Sequence, residues 1–350
     1  MRKIHILIWG FGAMGSGMAR MLMDKEGVEI RGVCDIHPDR VGRGVKEVLN
    51  LQCDHPEVVI SGDIGEVLKG TYDLALLATD SFTVHAYDKI SLLLEHGINV
   101  ISTAEEMAYP RASEPELAGK MDKLARDRGV TLLGTGINPG MIMDLLVLML
   151  TGASMSVDSI RAERVNSLSP FGPAVMEEQG VGLSPEEFFR GRDSGSLAGH
   201  VGFNESVRMI ADGLGWMLDG PIRQTMEPIV SAVPRKTPYA EIASGRVAGC
   251  RQEGHGFIRG EEKITMIHPQ QIEPQLGGIE TGDYITIKGV PDINMSIKPE
   301  IPGGIGTIAI CVNMIPHVLN GRPGLKSMLD LPVPRAVLGD MRNFLDEELK

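Results

Sequence analysis

The sequence predicts an α/β fold: an N-terminal doubly wound parallel sheet, followed by a second α+β domain built on a mixed sheet. Three observations carry this. Over the first 150 residues, short β-branched runs alternate with longer helical patterns, the rhythm of a parallel sheet covered by helices on both faces. A glycine turn, Gly10-Phe11-Gly12-Ala13-Met14-Gly15, stands where the first strand hands over to the first helix. Beyond about Gly134 the chain becomes strand-rich and loop-rich, with turn signals at Ser169-Pro170, Pro234, Pro269 and Pro291.

Taken in order, Ile4 to Trp9 reads as a buried strand. Ala13 to Lys25 reads as a helix, with Met14, Met18, Met21 and Leu22 at helical spacing. Val28 to Cys34 is a second strand, and Pro38 to Leu49 a helix entered through its proline. Strands at Leu74–Ala78, Ile98–Ser102 and Val130–Leu133 alternate with helices at Thr83–Glu95 and Glu114–Arg128. After the turn cluster Gly136-Ile137-Asn138-Pro139-Gly140, an apolar helix is expected over Met141–Leu150. The alternation at Tyr284-Ile285-Thr286-Ile287-Lys288 predicts a half-exposed sheet. Thr307 to Ile315 fits a helix that opens after Gly303-Gly304-Ile305-Gly306 and is disturbed at Pro316. These patterns divide the chain into a Rossmann-type dinucleotide-binding domain (1–136), a substrate-binding and oligomerisation domain (137–305), and a C-terminal helical segment (306–350) that packs back on the first.

A lone G-x-G-x-x-G is weak, but between a strand and a helix it has a mechanism. Gly10 permits the tight turn, Gly12 lets the backbone approach a pyrophosphate, and Gly15 lets helix and strand pack closely. Phe11, Ala13 and Met14 complete the turn, the helix N-terminus offers N–H donors to phosphate, and Gly17 adds room. Asp35 ends the second strand, twenty residues after Gly15, where a carboxylate can accept the adenosine ribose hydroxyls of NAD. Arg40, just beyond, can meet the 2′-phosphate of NADP, so both cofactors stay open. Ligands of open α/β sheets bind outside the carboxyl ends of strands. Ala78, Thr79, Thr103, Asn138 and Pro139 are expected to border the cofactor for that reason.

Composition narrows the function. The formal net charge of −12 opposes phosphate backbones and anionic lipid, which argues against nucleic acid and membrane surfaces as partners. No stretch approaches the roughly 18 apolar residues of a membrane span. The Ile4–Trp9 run is too short for a signal sequence. Four cysteines without a C-x-x-C pair read as reduced thiols, and a cytoplasmic location is expected. No metal-ligating spacing and no nucleophile elbow appear among the nine histidines and the glycine turns.

Several blocks are distinctive. Ile8-Trp9-Gly10-Phe11-Gly12-Ala13-Met14-Gly15-Ser16-Gly17-Met18 is followed by Arg164-Val165-Asn166-Ser167-Leu168-Ser169-Pro170-Phe171-Gly172. Val175-Met176-Glu177-Glu178-Gln179-Gly180-Val181-Gly182 and Ala198-Gly199-His200-Val201-Gly202-Phe203 come next. His268-Pro269-Gln270-Gln271 and Lys298-Pro299-Glu300-Ile301-Pro302-Gly303-Gly304 complete the set. Over nearly the full length the chain resembles the 2,4-diaminopentanoate dehydrogenase family, similar in fold to dihydrodipicolinate reductase and meso-diaminopimelate dehydrogenase. The resemblance implies oxidative deamination at C4 of (2R,4S)-2,4-diaminopentanoate to 2-amino-4-oxopentanoate and ammonia, with NAD or NADP, in ornithine breakdown. A cyclic imine reductase and a non-catalytic NAD-binding redox sensor are the competing readings. Polar clusters flanked by glycines over residues 160–306 favour an enclosed small-molecule site.

Such chemistry needs a base that takes a proton from the ammonium and then helps water attack the iminium. His200, flanked by Gly199 and Gly202 on a turn, Glu178 and Asp80 are the candidates. Each has a bland alternative: a structural histidine, a solvated helix end, and an N-cap for the Thr83 helix. Arg164 and Asn166 can hold the substrate carboxylate, or Arg164 can be a strand-surface charge. Lys298 offers another anion partner, and Glu105 a further base, a substrate ligand or a first-turn charge. A homodimer formed on the second domain's sheet is expected.

Overall fold

The computed structural model describes residues 2–347. The chain divides into two compact units, one running to Met141 and resuming at Gly303, the other spanning Ile142–Pro302.

The first unit opens with β1 (Ile4–Trp9), α1 (Ala13–Met23), β2 (Val28–Cys34), α2 (Val45–Leu49) and α3 (Ile64–Val67). It continues with β3 (Leu74–Leu77), α4 (Thr83–Glu95), β4 (Asn99–Ser102), α5 (Pro115–Arg128) and β5 (Thr131–Gly134). The helix expected over Pro38–Leu49 forms only from Val45, because Gly42 turns at φ +82° and Gly44 bridges to Val59. Leu7, Leu77, Val100 and Leu132 supply a continuous buried sheet, packed under Ile90 and Leu94 of α4 and Met121 of α5. Runs buried on both faces are what a parallel sheet demands.

The second unit comprises α6 (Leu145–Thr151), β6 (Ser156–Ser167), α7 (Pro173–Glu178), α8 (Pro185–Ser194) and α9 (Phe203–Leu214). Strands β7 (Arg223–Val230), β8 (Arg235–Lys236), β9 (Glu241–Ile242), β10 (Val247–Ile258), β11 (Glu261–Gln271), β12 (Gly282–Val290) and β13 (Ile293–Ile297) follow. The Met141–Leu150 helix starts only at Leu145, whose N–H is accepted by the Asp144 carboxylate at 2.6 Å. Six strands form a mixed sheet in the order β13-β12-β6-β11-β10-β7, with β6 and β11 parallel and the other pairs antiparallel.

One face of that sheet changes character along the strands. At one end, Ile160, Ala162, Ile264, Met266, Ile285 and Ile287 are buried in register. Gly254 and Gly256 leave room there for α9: a Cβ at these positions would stand 3.0 Å from Phe203 and 2.8 Å from Val207. At the other end the same face carries Arg164, Asn166, Gln252, His268, Gln270 and Asp283, all buried. Alternation with period two keeps both sets on one face.

The chain then returns to the first unit through α10 (Gly303–Asn313), α11 (Ile315–Leu319) and β14 (Gly324–Lys326). The helix opens on the glycines rather than after them, and Pro316 stands in the first turn of α11. β14 extends the parallel sheet to β14-β5-β4-β3-β1-β2, so the C-terminal segment is not purely helical. Gly17 is needed for α10 rather than for phosphate, since a Cβ there would meet Ile308 at 2.2 Å.

Candidate functional site

In the first unit the strand order reverses at β1, with β2 on one side and β3 on the other, which marks the binding end of an open α/β sheet. Gly10 has φ +92°, and a Cβ on it would lie 2.4 Å from the Ala78 carbonyl and 2.8 Å from Thr79. A Cβ on Gly15 would collide with the Gly10 carbonyl at 1.8 Å. Gly12, by contrast, faces open space and begins α1 without a side-chain cap. The first N–H groups of α1, at Ala13 and Met14, are therefore left for an anion. That cradle fits a dinucleotide pyrophosphate.

Asp35 is 7% exposed and fastens this turn. The Phe11 N–H donates to its Oδ2 at 2.5 Å, the His37 N–H to Oδ1 at 2.7 Å, and Arg40 Nη1 stands 3.3 Å from Oδ2. Burial alone would raise the Asp35 carboxyl; the His37 and Phe11 amides and the Arg40 guanidinium outweigh it and hold the group below the ordinary carboxylate range. Ala78, Thr79 and Thr103 follow β3 and β4, held by Ala78 N–H to Trp9 O at 2.8 Å and Thr103 N–H to Leu77 O at 3.0 Å. Asn138 and Pro139 belong to the loop after β5, which Thr307 of α10 fastens by accepting the Ile137 N–H at 3.1 Å.

Asp80 does not cap α4. Its carboxylate takes Lys89 Nζ at 2.9 and 2.8 Å and the Thr79 hydroxyl, while the Thr83 N–H donates to Glu106 Oε2 at 2.7 Å. Sequence spacing favours Asp80 as the cap, but Glu106 reaches that N–H from the neighbouring strand's end. Glu105 opens the short 3-10 turn that begins after β4.

In the second unit the polar end of the sheet gathers several predicted residues. Arg164, 2% exposed, is no surface charge: Nη1 pairs with the buried Asp283 and Nη2 donates to the Ile301 carbonyl at 2.6 Å. Asn166, 6% exposed, stands beside Gln270 in register, and its Oδ1 has no hydrogen-bond partner among the described residues. A buried acceptor without a donor is costly, which marks a place for a ligand N–H or O–H. His200 lies in a loop between Gly199, at φ +62°, and Gly202, at φ +125°. Gln252 clamps its backbone, accepting the His200 N–H at 2.6 Å and donating to its carbonyl at 3.1 Å. The His200 ring stands edge-on to His268 with centroids 4.7 Å apart and to Phe203 at 5.2 Å. Desolvation, aided by the Arg164 charge, pushes the His200 imidazole down to about 3. His268 is lowered too, by burial first and by the neighbouring His200 and Arg164 charges.

Glu178 ends α7, and its carbonyl accepts the Gly199 N–H at 3.1 Å, which ties the His200 loop to this helix end. Glu178 is exposed, as a helix-end charge would be, yet partial desolvation of its carboxyl still raises it above the ordinary value. Arg164 and Asn166 stand two residues apart on β6, and the His200 loop is tied to the Glu178 backbone, all within one unit. Lys298 is engaged elsewhere: its side chain is 52% exposed, 3.2 Å from Glu280 Oε2 and over the Tyr284 ring.

Local sequence patterns do not single out His268, Gln252 or Asp283. His268 lies in a distinctive block but carries no chemistry by itself. The signals for Gln252 and Asp283 are cross-strand registers, Gln252 with His268 and Asp283 with Arg164, which no local motif encodes. Among the described residues, no group of three or more His, Cys, Asp or Glu can hold a metal ion. No helix among them is long and apolar enough to cross a membrane.

A model of the 2,4-diaminopentanoate dehydrogenase C-terminal domain matches residues 141–347, the stretch that carries this polar face. A 2,4-diaminopentanoate dehydrogenase from Acetoanaerobium sticklandii is 56% identical over 357 residues, covering 100% of this chain and 99% of that protein. The chain belongs to the 2,4-diaminopentanoate dehydrogenase family. A solved amine dehydrogenase from Mycobacterium smegmatis superposes with a TM-score of 0.85 at 28% identity, covering 95% of this chain and 97% of that one. GenD2 of gentamicin A biosynthesis, solved in complex with NAD, reaches a TM-score of 0.53 at 16% identity, covering 94% and 90%. At that identity the likeness speaks for the fold alone. Within this family member, the glycine turn at Gly10–Gly15 and the polar sheet end around Arg164 and Asp283 are the two features that bear on chemistry.

Proposed function

We propose that this chain carries out its family's reaction, the oxidative deamination of 2,4-diaminopentanoate at C4 to 2-amino-4-oxopentanoate and ammonia, a step of ornithine degradation. The observation that carries the reading is the Asn166 Oδ1 that finds no partner among the described residues, on the sheet face that also carries His268, itself packed against His200; both imidazoles are held neutral, which suits a substrate bearing amines. The nicotinamide cofactor supplies the hydride acceptor when bound. The chain's own residues do the rest. Glu178, whose carboxyl is raised by desolvation, is the base that takes the proton from the C4 ammonium. His200, held neutral, donates and accepts hydrogen bonds without adding a positive charge beside the substrate. Asn166 orients the substrate. Asp80 is a weaker candidate for base because Lys89 already engages both its oxygens. Arg164 acts on the substrate through its remaining donor edge, since Asp283 and Ile301 engage its two Nη groups.

For the cofactor, NAD is the better fit. Asp35 keeps Arg40 beside its carboxylate, so a 2′-phosphate has to displace that pair to reach the guanidinium. NADP is then used less efficiently than NAD. The burial-raised thiols of Cys34, Cys250 and Cys311 suit the reducing cytoplasm, and a homodimer formed on the mixed sheet is part of the proposal. Spectrophotometry tests the core: purified protein is expected to reduce NAD with stoichiometric ammonia release on addition of 2,4-diaminopentanoate. NAD binding without turnover would overturn it.

A further inference from the structure

Two arginines of the second unit are more than nine-tenths buried, and they are treated differently. Arg164 meets a buried carboxylate, Asp283. Arg235, 4% exposed at the start of β8, has no carboxylate within ion-pair distance among the described residues. Its Nε donates to Ser231 Oγ at 2.6 Å, and its Nη1 to Gln271 Oε1 at 2.7 Å, Ile272 O at 2.6 Å and Glu273 O at 3.2 Å. Every one of these acceptors is neutral. The Glu273 carboxylate tempers the charge only from a distance, being held by Gln275 Nε2 at 2.7 Å. Nη2, with two N–H donors, makes no hydrogen bond among the described residues. It faces Gly277, where a Cβ would lie 3.1 Å from it, and Ile279 Cγ1 flanks the same spot. Gly277 closes the short turn Pro274–Gly277, which is exposed from Gln275 on, and Leu276 and Ile279 are exposed beside it.

A desolvated guanidinium with no counter-ion is unfavourable, and removing its charge is what burial favours; here desolvation lowers Arg235 from its ordinary value. We infer that the open Nη2 edge at Gly277 is an anion site, and that it takes a carboxylate carried on an apolar stem. The two free N–H groups supply a charge-assisted bond to one oxygen, and the Leu276 and Ile279 side chains cover the stem. The same carboxylate chemistry can come from a small organic acid or from an acidic side chain of a second copy of this chain. The inference does not depend on the proposed reaction.

Thermal melts with butyrate, against sodium chloride at equal ionic strength, read the site directly. At concentrations well above the dissociation constant the melting temperature is expected to rise by about 2–4 °C over the chloride control. Gly277→Asp supplies the missing carboxylate within the chain; the position is exposed and has no left-handed φ, so the variant folds. It is expected to melt higher than the parent and to lose the butyrate response. Arg235→Met loses the response as well if it folds. Sedimentation velocity over a concentration series separates the sources: association that Gly277→Asp abolishes assigns the carboxylate to a second copy. An equal butyrate shift in parent and Gly277→Asp overturns the site. So does the absence of both a butyrate shift and a Gly277-dependent association.

Discussion

The glycine-turn end of the first unit and the polar sheet end of the second are built by opposite means. The first is local. Gly10, Gly12 and Gly15 lie within six residues, and Asp35 reaches back to the Phe11 N–H from the very next strand. The second is assembled from β6, β10, β11 and β12 and the loop at Gly199–His200, segments up to 119 residues apart for the Arg164–Asp283 pair. A turn of fixed backbone geometry can be written in a short motif. A polar face on a sheet is set by register, and register depends on partners far along the chain.

Single substitutions should hurt most where the backbone itself is locked. Gly15→Ala sits at the head of the list, because its Cβ would fall 1.8 Å from the Gly10 carbonyl. Backbone cannot yield as a flexible side chain does, so a loss of about 2–4 kcal/mol in unfolding free energy is expected, with cofactor binding lost alongside. Denaturant melts and NAD titration check it, and a Gly15→Ala protein with parental stability would break the claim that this turn is sterically locked.

Glu178→Gln comes next, now on activity rather than folding. A fall of roughly 100-fold or more in kcat is expected from loss of a general base. Stability should move the other way. A carboxyl raised in the folded state contributes stability below its ordinary value and loses it as the pH rises through the folded value. At pH 7 the glutamine variant should therefore be no less stable than the parent. Steady-state rates check the role: loss of a base lowers kcat, whereas loss of a mere amine ligand raises KM.

Asp35→Asn tests the first unit more gently. A roughly tenfold loss in kcat/KM with NAD is expected, about the worth of one charge-assisted hydrogen bond, with a smaller loss for NADP as Arg40 is released. Asp35 is held below the ordinary carboxylate range, so its stabilisation is complete above the unfolded value and fades as the pH falls through the folded one. The asparagine variant should show a shallower loss of melting temperature below about pH 4. Equal losses with both cofactors would remove Arg40 from cofactor choice.

The smallest effect concerns His200. Its ordinary value is 6.5 and its folded value about 3, so the unfolded chain binds the proton first as the pH falls. Stability from this group is complete above pH 6.5 and is lost as the pH drops toward 3. His200→Gln should flatten that part of the melting profile. If the variant and parent profiles coincide, the ring is not held neutral by burial and the contrast with Glu178 fails.

Most elements of the first unit are legible in the amino-acid sequence alone. β1, α1, β2, β3, α4, β4, α5 and β5 fall within a few residues of where hydrophobic periodicity puts them. The exceptions have local causes: Gly42 and Gly44 break the Pro38–Leu49 pattern, and β14 joins the sheet unannounced because a three-residue strand carries too little periodicity to read. The second unit is legible only as strand-rich. Residue type offers Arg164 to the substrate, yet its Nη groups are engaged by Asp283 and Ile301; it offers Lys298 too, yet that side chain pairs with Glu280. In both cases a charge is visible in the sequence and its partner is not.

What the sequence determined by itself is the glycine turn, the parallel βα rhythm and the family blocks, because backbone sterics and amphipathic periodicity act over neighbouring residues. Only the tertiary structure decided which polar residues share a face, which arginine has a counter-ion and which does not, and that His200 lies clamped by Gln252 against His268. Those facts rest on strand register and burial, and the free energy of a buried charge or hydrogen bond depends on what the rest of the chain brings to it.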